Sequence, residues 1–480
     1  MKLNIFNKNF RLIVLLIFIT ELASFLGYLQ PNFRQIAFFI VAGLVLVLSL
    51  IDLKFGILVL LTELFIGSKG YLFYFASGGM TVSIRIALWL IVMTIWAGKV
   101  LLKKEKIKLK SYAYFLPLFL FIFWGLINGY LNNNFSNVFF DFNGWLFFSL
   151  LLPFSWFIRQ KKSIEKIKQI FIACLTWLSF KTLILFFIFS HKFNTLVYEI
   201  YRWVRESGVG EITQVQGGFY RIFFQSHIYI LIGIFFLLIQ LPKFKKIKNR
   251  NFIVLFSGIS LLFSIIIISF SRSFWVGGLV GGLLYLIWLI KEYSWQQSLK
   301  TLGLIFLSIA TSILLITAIL YFPCPQALGG FKTTNLLSER LTETDEAAVS
   351  SRWQLLPELW GEVKETPILG QGFGKTVTYL TKDPRALENN ADGQYITYAF
   401  EWGWLDIWLK LGIFGLLAYL ALLSKIVYDG FKKRANSLIL GLTIGIITIS
   451  VVSFFSPYLN HPLGIGYLIL AGLIISTQKE

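Results

Sequence analysis

Charge is scarce in this chain. Asp, Glu, Lys and Arg make up 14% of its 480 residues, against roughly 25% in soluble domains, which excludes an ordinary water-soluble fold. Histidine and cysteine are scarcer still. The three histidines, His191, His227 and His461, are scattered, and no His/Cys/carboxylate spacing matches a zinc or calcium motif, so no protein-bound metal is expected. Of the two cysteines, Cys174 falls in an apolar run and Cys324 outside one. They are not read as a mutual disulfide. No extended Gly, Ser, Pro or low-complexity linker divides the chain, so a single transmembrane domain over 1–480 is expected.

Hydrophobic residues are abundant, at 56%, and they come in runs near the 20 or so residues that cross a bilayer. The runs predict helices over 11–28, 34–51, 55–67, 83–101, 112–130, 141–158, 168–190, 222–241, 252–270, 274–290, 302–322, 403–424, 437–454 and 463–477. The third is short. This defines an all-α, polytopic integral membrane protein with about 14 spans. The first run exceeds a typical signal-peptide core and is not followed by a clear small-x-small cleavage site, so it is read as an uncleaved helix.

Lys and Arg are retained on the cytoplasmic side. The clusters 103–110, 159–168, 242–250 and 425–434 all fall on one face of the fourteen-span count, as do both termini. The net charge of +20 therefore records topology, with a minor lipid head-group attraction, and no nucleic-acid partner is expected. The short cytoplasmic loops show no βαβ pattern and no phosphate-binding glycine loop, which argues against a nucleotide-sugar enzyme working on that side.

Three segments are placed outside: 194–221, 323–402 and 456–464. The second, about 80 residues before the twelfth helix, carries seven Lys/Arg against eleven Asp/Glu, opposite in sign to the rest of the chain. Within it "RWQLLPELWGEVKE" predicts an amphipathic helix, capped by Ser350 or Ser351, with Trp353, Leu356, Trp360 and Val363 on one face. Pro357 suits a first turn and would kink the helix later. "GQGFG" follows; without a preceding strand and the right spacing it is read as tight backbone turning and not as a dinucleotide fingerprint.

Arginine is what the outer face offers. Arg221 is placed at the start of the eighth helix, Arg272 in the turn "SFSRSFW", and Arg352 at the start of the amphipathic helix. If three guanidiniums converge there, their planar forks match a diphosphate. The plain alternative for each is snorkelling to head groups or pairing with an acid. Gln225, His227 and His461 lie on the same outer face as further substrate contacts, or as buried polar and turn residues. Trp353, Trp402 and Trp404 suit sugar stacking or the interfacial aromatic belt. Lys181, mid-helix, has no partner evident in the sequence. Asp406 and Lys410 are read as an intrahelical i, i+4 pair, whereas Glu401 has no local partner.

"SSRWQLLPELWGEVKETPILGQGFG" followed by "FEWGWLDIWLKLGIFGLLAYL" resembles the C-terminal signature of the O-antigen ligase and O-antigen polymerase superfamily, over roughly residues 215–475. Ligases of that family carry a histidine, a small polar residue, nine free positions, and then two glycines three apart. Gly412 and Gly415 keep the spacing, but Glu401 stands in the histidine position and Trp402 in the polar one. The departure points away from ligase proper, toward a branch in which a carboxylate replaces the imidazole. The resemblance implies transfer of a glycan from a polyprenyl diphosphate carrier to a sugar hydroxyl at the extracytoplasmic face of a bacterial inner membrane. It implies no nucleotide, metal or other cofactor.

On that reading Arg221, Arg272 and Arg352 stabilise the leaving diphosphate. Glu401, kept dry, is the general base or else an interfacial acid or ion-pair partner. Gln225, His227, Trp353 and His461 are the candidate substrate contacts. The expected partners are the polyprenyl-diphosphate oligosaccharide, a glycan acceptor and membrane lipids, with other polysaccharide-assembly proteins also possible. A transporter of small anions or lipid-linked substrate, and a scaffold presenting the outer loop, are the readings from other classes.

Overall fold

The computed structural model describes residues 7–77, 80–103, 113–193, 196–216, 218–244, 250–329, 347–381, 387, 390 and 392–478. Parts of two basic clusters used for orientation, 104–110 and 245–249, lie outside the described residues. So do 330–346 and 382–386 of the acidic loop.

In chain order the elements are α1 (Lys8–Leu29), α2 (Pro31–Ile51), α3 (Leu53–Ile66), β1 (Tyr74–Ser77), β2 (Met80–Ser83), α4 (Ile84–Leu101), α5 (Leu116–Asn132) and α6 (Phe135–Phe142). Next come α7 (Leu151–Ile158), α8 (Ser163–Ser190), α9 (Leu196–Glu206), β3 (Gly210–Gln216), β4 (Phe219–Phe224), α10 (His227–Leu238), α11 (Arg250–Ser269), α12 (Arg272–Glu292) and α13 (Trp295–Leu320). The chain closes with α14 (Ala347–Glu365), β5 (Val377–Leu380), β6 (Gln394–Thr397), α15 (Gly403–Lys432), α16 (Ser437–Val452) and α17 (Pro462–Thr477). The strands form three two-stranded antiparallel sheets, small additions to an all-α membrane fold.

Each of the fourteen predicted segments is helical over most of its length. Among the described residues nine helices are long and apolar enough to cross a membrane, or ten if Phe135–Phe142 and Trp145–Ile158, bent by 42°, make one span. Local chemistry sets the breaks between them. Asn7 accepts from the Phe10 N–H at 2.9 Å to start α1, and Pro31 opens α2 at a position where a missing N–H costs nothing. Asp52 accepts from the Lys54 N–H at 3.0 Å and so separates α2 from α3.

One prediction needs correction here. Residues 219–224, "FYRIFF", form a strand and not the start of a helix, and α10 begins at His227. The run is aromatic and β-branched, and it pairs with β3 with Phe219, Ile222 and Phe224 buried. Arg221 therefore sits on a hairpin.

Two compact units are distinguished: residues 1–106, 152–331 and 434–445, and residues 107–151, 332–433 and 446–480. In the first, two charge pairs are buried in apolar surroundings. Arg85 binds Glu63 through two nitrogens at 2.7 and 3.0 Å. Lys181 of α8 meets Glu21 of α1 at 2.7 Å, both about 5% exposed, and its ammonium lies over the rings of Phe224 and Trp203 at 4.8 and 5.2 Å. Lys181, for which the sequence offered no partner, thus ties α1 to α8.

A buried pair contributes little relative to apolar residues, but breaking it leaves a bare charge where water is excluded. Lys181→Met should lower stability by about 3–5 kcal/mol, and Glu21→Leu combined with Lys181→Met should recover most of the loss. Thermal unfolding in detergent measures both; a single variant as stable as the parent would show that the pair is not the α1–α8 tie.

Candidate functional site

In the second unit, α14 and the segment entering α15 are held together by a small apolar core. Leu355, Leu359 and Val363 of α14 are buried against Val377, Phe400 and Leu409. The buried face of α14 is therefore 355/359/363, at i, i+4 and i+8. The predicted 353/356/360/363 face is displaced because Trp353 and Trp360 stay outside and meet Trp402 and Trp408 edge-on, each at 5.5 Å. The helix also starts at Ala347, so Ser350 and Ser351 lie inside it and Pro357 is internal. The hydroxyls of Ser351 and Tyr379 are 2.9 Å apart.

This packing sets Arg352 against Glu401. The arginine Nε donates to the Glu401 carboxylate, and the Trp402 indole N–H donates to the Arg352 carbonyl at 2.9 Å. Phe400, next to the carboxylate, is 1% exposed and fixes the backbone there. The paired side chains are 34% and 47% exposed, so Glu401 is not the dry acid expected. Of the alternatives open for it, the ion pair with an arginine is the arrangement found. An exposed pair of this kind contributes only about 0–1 kcal/mol.

Below that pair, α15 is interrupted. Gly412 has φ +72° and ψ 178° inside the helix, a conformation that L-residues rarely adopt. The Ile413 N–H leaves the helical ladder and donates to the Pro367 carbonyl at 2.9 Å. In return the carbonyls of Leu409 and Lys410 accept from the N–H groups of Gln371 and Gly372, at 2.6 and 3.2 Å. The glycine loop 370–374 thus fills the gap in the helix, and it is pinned from α5: Asn128 donates to the Gly370 carbonyl, and Asn133 to the carbonyls of Gln371 and Phe373, each at 2.9 Å.

Asp406 and Lys410 pair within the helix as expected, at 2.5 Å, and the pair is part of a buried cluster. Lys410 is shared with Asp141 of α6 at 2.6 Å, and all three side chains are less than 10% exposed. Asn460 donates to the Asp406 carboxylate and, at 3.1 Å, to the Gly403 carbonyl. Sequence reasoning missed Asp141 and Asn460. For Asp141 a signal existed, as the lone charge in "VFFDF"; for Asn460 there was none.

The other candidates divide between the units. Arg221, Arg272, Gln225 and His227 belong to the first; Arg352, Trp353, Glu401 and His461 belong to the second. Within the first unit, β4 packs on the α11–α12 turn through Phe219 with Phe270 and Phe223 with Phe274. Arg221 on β4 donates through Nε to the Ser269 carbonyl at 3.0 Å and lies 3.9 Å from Glu211. Arg272 opens α12 three residues beyond Ser269, so these two arginines share one edge of the unit. Gln225, between β4 and α10, is half-buried.

His227 is fully buried. Its Nδ1 accepts from the Phe224 N–H at 3.3 Å and its Nε2 lies 2.9 Å from the Thr182 hydroxyl, so both ring nitrogens are engaged within the fold. His461 caps α17, accepting through Nδ1 from the Leu463 N–H at 3.4 Å. Trp353 is 59% exposed. Cys174 is buried and Cys324 exposed, both free. Among the described residues no group of three or more His, Cys, Asp or Glu side chains is arranged to hold a metal.

Architecture and site together define a multi-pass helical membrane protein whose second unit presents an accessible arginine–carboxylate pair above a broken span. Residues 257–420 match the family model for O-antigen ligase, a stretch that includes Arg272, Arg352, Glu401, Gly412 and Gly415 but not Arg221, Gln225, His227 or His461. The match supports the resemblance to the O-antigen ligase and polymerase superfamily, and with it glycan transfer from a lipid-linked substrate to an acceptor. No curated protein matches the chain.

The loop's fit in the broken helix is testable at Gly372, whose φ is +78° and where a Cβ would stand 2.2 Å from the Gly129 nitrogen. Gly372→Ala should cost about 2–5 kcal/mol, combining backbone strain with overpacking. Gly361→Ala on α14, where a Cβ meets nothing within 4 Å, should be neutral or stabilise by up to about 1 kcal/mol. Equal melting temperatures for the two variants would refute the fit.

Proposed function

We propose that the protein transfers a glycan from a polyprenyl diphosphate carrier to a sugar hydroxyl at the extracytoplasmic face of the bacterial inner membrane, polymerising surface-polysaccharide repeat units. The observation that carries this reading is the contact of Arg352 with Glu401, inside the family-matched segment, at a place open to solvent. A second reading, ligation of the glycan to a lipid or protein acceptor, draws on the ligase description of the matching family. Glu401 in place of the ligase histidine favours polymerisation.

The chemistry is a single displacement. The acceptor hydroxyl oxygen bonds to the anomeric carbon while the bond from that carbon to the diphosphate oxygen breaks. The hydroxyl proton passes to Glu401, and the electron pair leaves with the diphosphate. Attack from the face opposite the leaving group inverts the anomeric centre. Arg352 holds the growing negative charge, since a guanidinium fork matches two phosphate oxygens and stays charged.

In the resting site Arg352 is occupied by Glu401. An incoming diphosphate competes for the same guanidinium, and because an exposed pair is worth only about 0–1 kcal/mol the exchange is inexpensive. Donor binding then frees the carboxylate to act as base. Within the second unit Trp353 and His461 remain the candidate substrate contacts, and the exposed indole of Trp353 is the one already open to a sugar ring; His227, buried with both ring nitrogens engaged, is not carried into the proposal. No cofactor enters the proposal.

Purified protein in liposomes, given polyprenyl-diphosphate oligosaccharide, should produce longer glycan or a glycosylated acceptor. Substrate flux without product would favour transport instead. Glu401→Gln should lower turnover by roughly 10²- to 10⁴-fold if the carboxylate is the base, and full turnover would remove it from that role. Arg352→Lys should also impair transfer, because a point charge cannot reproduce a two-pronged contact; wild-type rates would sink the diphosphate assignment for this residue.

A further inference from the structure

The buried cluster below the candidate site takes no part in the chemistry just proposed, yet it joins the two segments that carry it. We propose that Asp141, Lys410 and Asp406 are positioning residues that hold Arg352 and Glu401 in register. This inference rests on the reading of that pair as the transfer site.

Three facts support it. First, Asp141 binds two things at once: one oxygen takes the Lys410 ammonium at 2.6 Å and the other accepts from the Gly374 N–H at 2.8 Å. It therefore clamps the glycine loop to α15 at the point where that helix is interrupted.

Second, the loop is tied to α14, because the Gln371 amide donates to the Glu362 carbonyl at 2.7 Å and to its carboxylate at 3.0 Å. At the same joint the Pro367 carbonyl accepts from both the Trp408 indole at 2.9 Å and the Ile413 N–H. A shift of the loop relative to Lys410 would thus move α14, on which Arg352 lies. Third, Asp406 holds Lys410 from within α15, and through Asn460 it also holds the first turn of that helix, immediately after Glu401.

The cluster carries two acids and one base, all buried. Removing the lysine would leave two buried carboxylates facing each other and threaten the fold itself. Removing Asp141 leaves a balanced Lys410–Asp406 pair, so Asp141→Leu, close in volume, deletes the clamp with the least electrostatic penalty.

The test uses the full-length protein in lipid nanodiscs with Cys174 and Cys324 replaced by Ala. Arg352→Cys and Glu401→Cys are introduced together, and the rate of disulfide formation with a copper–phenanthroline oxidant is measured with and without Asp141→Leu. Separately, Asp141→Leu in the otherwise unmodified chain is assayed for glycan transfer. Slower crosslinking, with turnover lowered by up to about 10²-fold at unchanged donor KM, is the expected result, since a misplacement of about 1 Å costs that much.

Unchanged crosslinking and unchanged turnover in a variant that elutes and melts like the parent would overturn the inference. If Asp141→Leu does not fold, Asp141→Asn is read in the same two ways, having lost the charge but kept an acceptor for Gly374. Crosslinking reports the positioning and product formation reports the transfer. Failure of the unmodified protein to make product therefore overturns the transfer reading alone.

Discussion

The second unit depends on an exchange of backbone hydrogen bonds inside a membrane-length helix. Where lipid is the solvent, a peptide group without a partner costs several kcal/mol, so a helix can break only if something replaces the lost bonds. At Gly412 the replacement is the loop 367–374, which gives a carbonyl to Ile413 and takes those of Leu409 and Lys410. The close approach this requires explains why glycines line the contact. A Cβ at Gly412 would lie 2.1 Å from the Ile368 carbonyl oxygen, so glycine at this position has a steric cause.

Charges in this chain then fall into two physical kinds. Glu63 with Arg85, Glu21 with Lys181, and Asp141 with Asp406 around Lys410 are buried and paired with opposite charge. Exchanging their partners would require stripping a charge in a low-dielectric interior, so they can hold segments together but cannot readily take part in turnover. Arg352 and Glu401 are the other kind: half exposed, weakly coupled, and reachable by a soluble or interfacial anion. Burial therefore separates charges suited to scaffolding from charges suited to chemistry.

Membrane class and helical architecture were legible in the sequence because both rest on a one-dimensional signal, the length of an apolar run. The strand at 219–224 was not, since a short aromatic run cannot be told from a helix turn until its pairing partner is known, and here the partner is β3. Lys181 was visible as an anomaly, but its partner is 160 positions away in α1. The Asp406–Lys410 spacing did announce an ion pair. That it would be buried depends on Asp141, 269 positions from Lys410, which local spacing cannot reveal. Glu401 and Arg352 were chosen separately, and that they touch is a result of α14 packing on Phe400 and Leu409.

That contact bears on the order of events in the proposed reaction. A carboxylate shared with a guanidinium and still wet is a poor base, because its lone pairs are already engaged and its charge is already solvated. Both handicaps end with the same step if the donor arrives first. Its diphosphate takes the guanidinium, and its bulk over the half-exposed pair removes water, strengthening every electrostatic contact that remains. An acceptor arriving first would meet Glu401 still paired and would gain nothing from it. Ordered addition, donor before acceptor, then follows from the resting geometry without any large motion: two side chains exchange partners above a helix break that the buried cluster keeps fixed.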